Sequence, residues 1–234
     1  MMDEIFENEF VTWRHTTPVG VKVDEVFGMD SKSGKIWRAL ARQIFCELGD
    51  FNYREIYHYE NGAPYIEGLK ARFSLSHTNH LLVGAILPKT PDQNLEIFNP
   101  RTAMGIDAEN LDRSQVLKIR TKFLSQQELE LVPEDDLEAN IVAWTSKEAL
   151  YKAALTPGID FKEDIKINRL PVLAKDGDKN EASNLGSATI ILRENSEFPT
   201  QEMELYSYES YGCCVTIAVS PKAAKFKKPE LSLK

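Results

Sequence analysis

The distribution of apolar residues predicts an α+β protein in which each half of the chain carries one major helix and several antiparallel strands. Three observations lead there. Ile36, Leu40, Ile44 and Leu48 recur every four residues, the stripe of an amphipathic helix. Residues 136 to 155 form a second, longer helical pattern. Around them stand short apolar runs of strand length, among them Leu81–Leu87 and Cys213–Val219.

Taken in order, the first helix spans residues 31 to 48, with Ser31 or Ser33 as its cap and Gly49 after its last apolar position. Asn61-Gly62-Ala63-Pro64 is a turn. Phe73 and Leu75 alternate with Arg72, Ser74 and Ser76, the pattern of a half-buried strand. His77-Thr78-Asn79 turns the chain into Leu81–Leu87, whose continuous apolar run predicts a central strand. Pro88 to Pro100, with three prolines, connects the halves. Ala103 to Glu109 is a strand, and Ser114 to Phe123 a helix with Val116, Ile119 and Phe123 inward. Ser125 with Glu128 forms a capping box for a short helix. The helix of residues 136 to 155 stops at Pro157-Gly158. Residues 173 to 186 read as a polar surface loop, 188 to 192 and 204 to 208 as strands, and Gly212 as the turn into the last strand. The tail from Pro221 to Lys234 holds five lysines and reads as solvated.

At 234 residues the chain is long enough for a substantial core, and 42% hydrophobic with 27% charged residues is ordinary for a globular protein. A net charge of −8 argues against a general nucleic-acid binder, so any anionic ligand must be held by local basic groups. No apolar run is long enough to span a bilayer, and the acidic start Met1-Met2-Asp3-Glu4 lacks a signal-peptide core. Cys46 and the adjacent Cys213 and Cys214 suit neither a disulfide framework nor a metal spacing, and read as buried thiols of a cytoplasmic protein.

The chemistry concentrates in two segments. Asp107 and Glu109, two apart on a strand, project from one face. Glu148 and Lys152, four apart on a helix, share another. If the fold joins these faces, three carboxylates and an ammonium converge, and the carboxylates need a cation to stay ionised together. Hard oxygen ligands with room for phosphate describe a magnesium site. Taken singly, each group has a duller reading: an exposed strand end, a solvated helix pair, a hydrogen-bonded turn histidine at His77. His77 and His80 are poor candidates for a transition-metal pair, because no cysteine or third histidine stands near them in sequence. Trp144 and Tyr151 read as helix packing groups.

Three segments in order carry a resemblance: Phe73-Ser74-Leu75-Ser76-His77-Thr78, Gly105-Ile106-Asp107-Ala108-Glu109, and Trp144-Thr145-Ser146-Lys147-Glu148-Ala149-Leu150-Tyr151-Lys152. Together they resemble the signature of the 4′-phosphopantetheinyl transferases. The resemblance implies a pseudo-dimer of two similar α/β lobes with the active site in the cleft between them. Residues 1–100 would be the lobe binding the coenzyme A 3′-phosphate, and 101–234 the metal-binding and catalytic lobe. The implied reaction moves the 4′-phosphopantetheine arm of coenzyme A to a serine of an acyl or peptidyl carrier protein, releasing 3′,5′-ADP. Asp107, Glu109 and Glu148 would hold magnesium, with manganese as a substitute. Glu148 or a metal-held water would be the base, its protonation tuned by Lys147 and Lys152. Lys152 would hold the pyrophosphate. Ser76, His77, Lys147, Lys35 and Arg42 would contact the coenzyme. The length favours the form active as a monomer, with no nucleic-acid or membrane partner.

Departures from the pattern bear on affinity. Ala63 stands where the family's turn carries a basic residue, a gap that Lys70 or Arg72 could fill. Ala108 points away from the site and affects packing alone. The carrier would dock on residues 111 to 131, and the Lys222–Lys228 run could add a contact to an acidic partner. Two other readings use the same residues: a coenzyme- or carrier-binding module without turnover, and a metal-dependent pyrophosphate hydrolase.

Overall fold

The computed structural model describes residues 11–27, 56–58, 64–65, 72–87, 103–156, 158–175, 184–192 and 200–221. The expected helix at 31–48, the connection at 88–100, most of the turn at 61–64, Cys46 and the lysine-rich tail beyond residue 221 lie outside them. The described residues build two sheets and a small ribbon. Strands β1 (Val11–Thr16), β2 (Lys22–Phe27), β5 (Arg72–His77) and β6 (Leu81–Leu87) form an antiparallel four-stranded sheet in the order β1-β2-β6-β5. The ribbon pairs β3 (Tyr57–His58) with β4 (Pro64–Tyr65).

The second sheet runs β7-β12-β11-β10-β8, from β7 (Met104–Asn110), β12 (Cys213–Val219), β11 (Thr200–Ser210), β10 (Gly186–Ile191) and β8 (Ile165–Arg169). A short strand, β9 (Leu173–Ala174), pairs parallel with β11 at Ser207 and Tyr208, where the sequence pattern predicts only loop. Three helices accompany this sheet: α1 (Gln115–Phe123), α2 (Gln126–Leu131) and α3 (Leu137–Ala154). None of the described helices is long and apolar enough to cross a membrane.

The central position of β6 follows from its sequence, since all seven residues are buried. The hairpin of β1 and β2 has no clear signature, because buried Asp24 and Glu25 interrupt the valine alternation of Val19, Val21 and Val23. Glu25 is tolerated there by satisfying its oxygens: Tyr208 donates to Oε1 at 2.6 Å, and Ser210 donates to Oε2. β11 and β12 are joined by Tyr211 and Gly212 at φ 48° and 72°, the two left-handed residues that a tight hairpin requires.

The helices behave as their capping residues dictate. Asp136 accepts from Ala139 N at 2.9 Å to start α3, and Leu155, at φ 50°, turns the chain out of it before Pro157-Gly158 is reached. The capping box of Ser125 and Glu128 is present. On α1, Val116 and Phe123 are buried as expected. Arg120, however, is buried with them, donating to Asn140 Oδ1 at 3.0 Å and to Val132 O.

Two apolar clusters result. One lies between the helices and the second sheet, with Ile141, Leu150 and Ala153 against Ile165, Ala188 and Leu205. The other lies between the two sheets, with Val23, Leu81 and Val83 against Tyr206, Val215 and Ile217. β7 runs along the second cluster: Met104, Ile106 and Ala108 enter it, while Gly105, Asp107 and Glu109 alternate to the other face, beneath α3. Gly105 permits that close approach. A Cβ there would stand 2.1 Å from Ala149 O and 2.7 Å from Ala153 N, so any side chain would push α3 off the strand.

Candidate active site

The seam where β5, β7 and α3 meet gathers residues from all three signature segments. Because β5 packs against β7, Arg72, Ser74 and Ser76 are buried along with Phe73, and Leu75 is only partly buried, so the strand is covered on both faces where one solvent-facing side is expected. Ser74 accepts from Ile106 N at 3.2 Å, and Ser76 donates to Asp107 Oδ1 at 2.8 Å. Lys152 reaches the same Oδ1 at 2.8 Å and also donates to Ile106 O at 3.1 Å and Leu75 O at 3.3 Å. One turn back on α3, Glu148 is half-buried. Burial first, and then the Asp107 carboxylate, raise its carboxyl above the ordinary value, while Lys152 and Arg113 pull it down.

Glu109 lies two residues along β7. Arg113 holds its Oε2, Asn110 N donates to its Oε1 at 3.2 Å, and the Arg113 guanidinium stands 5.9 Å from the centre of the Trp144 ring. In donor type, Asp107, Glu109 and Glu148 fit a hard divalent cation. Burial is the larger cause of the raised Glu148 carboxyl and the neighbouring Asp107 carboxylate the smaller, and it is the second that a cation would relieve. In this structure, Lys152 and Arg113 neutralise Asp107 and Glu109. Among the described residues no three His, Cys, Asp or Glu side chains are gathered closely enough to ring an ion.

Other candidates stand elsewhere. Lys147 does not join the seam: its fully buried ammonium bonds Glu128 Oε1, Phe161 O and Ile165 O, each at 2.6 Å. Burial holds its pKa down to about 8 against the opposing pull of Glu128. Arg72, a candidate substitute for the basic residue missing at Ala63, is buried and donates to Ala153 O at 3.3 Å, near the end of α3. His77 is exposed, with Nδ1 3.3 Å from Thr78 O. Lys35, Arg42 and Lys70 lie outside the described residues. Trp144 packs edge-on against Phe123 and Phe161 as expected, whereas Tyr151 is 41% exposed beside Phe161.

Two features escape the sequence reading. Arg113 sits four residues after Glu109, but in a turn after the strand, where helical spacing rules give no warning. Cys213 lies 3.4 Å from His80 Nε2 across the sheet interface, so a cysteine does stand near that histidine in space. Both described cysteines are free and buried, and burial pushes Cys213 to about 11 and Cys214 to about 12, the state of inert thiols.

In comparison with known protein families, the model described as the 4′-phosphopantetheinyl transferase superfamily matches residues 103–211, the stretch from the start of β7 to the β11–β12 turn. No curated protein matches the chain.

Proposed function

From the premise that residues 103–211 form a domain of the 4′-phosphopantetheinyl transferase superfamily, we propose that this protein moves the phosphopantetheine arm of coenzyme A to a carrier-protein serine. The observation that carries the reading is the shared contact of Ser76 and Lys152 on Asp107, with Glu148 alongside. Three separate sequence segments supply those side chains.

In this reading Asp107, Glu109 and Glu148 hold magnesium, or manganese in its place. When bound, the metal would supply charge neutralisation at the pyrophosphate. Glu148, its proton affinity raised by burial and Asp107, takes the proton of the incoming serine hydroxyl. Lys152, 29% exposed at its side chain, gives one of its contacts to the pyrophosphate and favours charge developing on the leaving oxygen. Ser76 and His77 orient the coenzyme's phosphates from the end of β5. Lys35 and Arg42 anchor the 3′-phosphate, within an arrangement of lobes 1–100 and 101–234 acting as a cytoplasmic monomer. Lys147 has no coenzyme role here, because its ammonium is committed to Glu128 and two carbonyls. The carrier docks on residues 111–131, which flank Glu109 and present exposed Lys118 and Lys122.

A second reading, a coenzyme-binding module without turnover, is favoured by the cations already seated on Asp107 and Glu109 and by Ala63. Intact-mass measurement of an apo acyl carrier protein with this chain, coenzyme A and magnesium separates the readings. A gain of one phosphopantetheine arm, abolished by EDTA, is expected. Bound coenzyme A without gain would favour the module, and cleaved coenzyme A with an unmodified carrier would favour a hydrolase.

A further inference from the structure

The two carboxylates of β7 are neutralised in different ways. The ammonium on Asp107 is built in: Lys152 also bonds Leu75 O and Ile106 O, so its position is fixed by the backbone of β5 and β7 as well as by the acid. The guanidinium on Glu109 is not. Among the described residues Glu109 is the acceptor that Arg113 meets, the Arg113 side chain is 40% exposed, and its other contact is the face of Trp144, 5.9 Å away. An arginine bonded to one carboxylate, within electrostatic reach of Glu148, and set beside one aromatic ring and open water can leave Glu109 without stranding a buried charge.

We propose that Arg113 is a displaceable counter-ion that competes with the divalent metal for Glu109 and so sets the metal affinity of the site. This rests on the reading of Asp107, Glu109 and Glu148 as metal ligands. While Arg113 holds Glu109, the carboxylates are partly neutralised and the seam is stable without metal. For an ion to take Glu109, the guanidinium must move away, and it then leaves a positive charge beside a second one. The coupling is reciprocal: whatever the metal gains from Glu109 is diminished by what Arg113 loses. Trp144, whose ring centre stands 5.9 Å from the guanidinium, offers the cation a second partner through the exchange.

The test is titration of the chelator-treated 234-residue chain with Mn²⁺, read as loss of the free-ion electron paramagnetic resonance signal, with no substrate present. Arg113→Gln is expected to tighten Mn²⁺ binding roughly three- to tenfold, the size of a lost surface ion pair together with relieved charge repulsion. Arg113→Lys, which keeps the charge, should stay within about twofold of wild type. Lys175→Gln, which removes an equal charge paired with Glu138, should change nothing. Circular dichroism checks each fold, and Arg113→Met, which keeps an apolar stem on Trp144, replaces Arg113→Gln if the latter unfolds.

Binding by wild type with no tightening in the Arg113 variant overturns the inference alone. Equal tightening by Lys175→Gln overturns it too, assigning the effect to net charge. Silence of both wild type and variant toward Mn²⁺ overturns the metal reading and this inference with it.

Discussion

Lys147 and Lys152 lie five residues apart on the same helix, each paired with a carboxylate, yet they occupy opposite kinds of environment. Lys147 is wholly buried, and its ammonium ties α3 to Glu128 of α2, to Phe161 and to Ile165 at the start of β8. Lys152 keeps 29% of its side chain exposed and faces Asp107 beside a second, proton-seeking carboxylate. A buried pair whose every acceptor is filled fixes geometry, because removing one partner strands the other in a low dielectric. A pair at a solvent-reached seam, beside a second carboxylate, is one that a ligand can reach. Identical charge chemistry therefore acts as scaffold in one place and, in the proposed function, as reactive centre in the other.

The comparison breaks most readily at Lys147. Lys147→Ala leaves Glu128 buried without its cation and should cost about 3–5 kcal/mol in denaturant unfolding. The double change Lys147→Met with Glu128→Leu should recover much of that loss. A Lys147→Ala protein of wild-type stability would place the scaffold elsewhere.

Lys152→Ala should do the reverse. Transfer falls roughly 10²–10³-fold while the melting temperature moves little, since Ser76 still donates to Asp107. Unchanged kinetics would reduce Lys152 to a helix lysine.

Glu148→Gln sharpens the contrast through pH. In the folded protein the ionised carboxylate is disfavoured, so the native state binds the proton more tightly than the unfolded chain does. Wild type thus carries a penalty at neutral pH that fades as pH falls through the folded value toward the ordinary carboxylate value of about 4.3. The glutamine variant should melt higher than wild type at pH 7, with the gap closing in acid. A lower melting point at pH 7 would mean that favourable pairing with Lys152 outweighs burial. Smallest of all, Ser76→Ala should cost about 1 kcal/mol, one hydrogen bond to a carboxylate partly retained by Lys152.

Much of this arrangement is legible in the amino-acid order. The Gly105-to-Glu109 strand, the long helix and the last strand follow from periodicity, and Gly105 has a specific task, the close passage of Ala149 and Ala153. What escapes does so for physical reasons. Adjacent residues on a helix point about 100° apart, so Lys147 and Glu148 cannot both face the seam, and spacing alone does not say which one turns inward. Arg113 acts from a turn, where no spacing rule applies. β1 and β2 are hidden by acids buried in mid-strand, Glu25 among them, whose partners Tyr208 and Ser210 come from the far end of the sequence. Ser74 and Ser76 look like the solvent side of a strand until β7 covers them.

The central claim, that the Asp107–Glu148–Lys152 seam performs the transfer, is tested most directly by the time course of arm attachment to an apo carrier protein. Wild type and Glu148→Gln are compared by intact mass at matched coenzyme A occupancy with magnesium present. The account predicts steady attachment by wild type and a rate lower by roughly 10²–10⁴-fold in the variant, the loss expected for a general base. Attachment by the variant at the wild-type rate would contradict it.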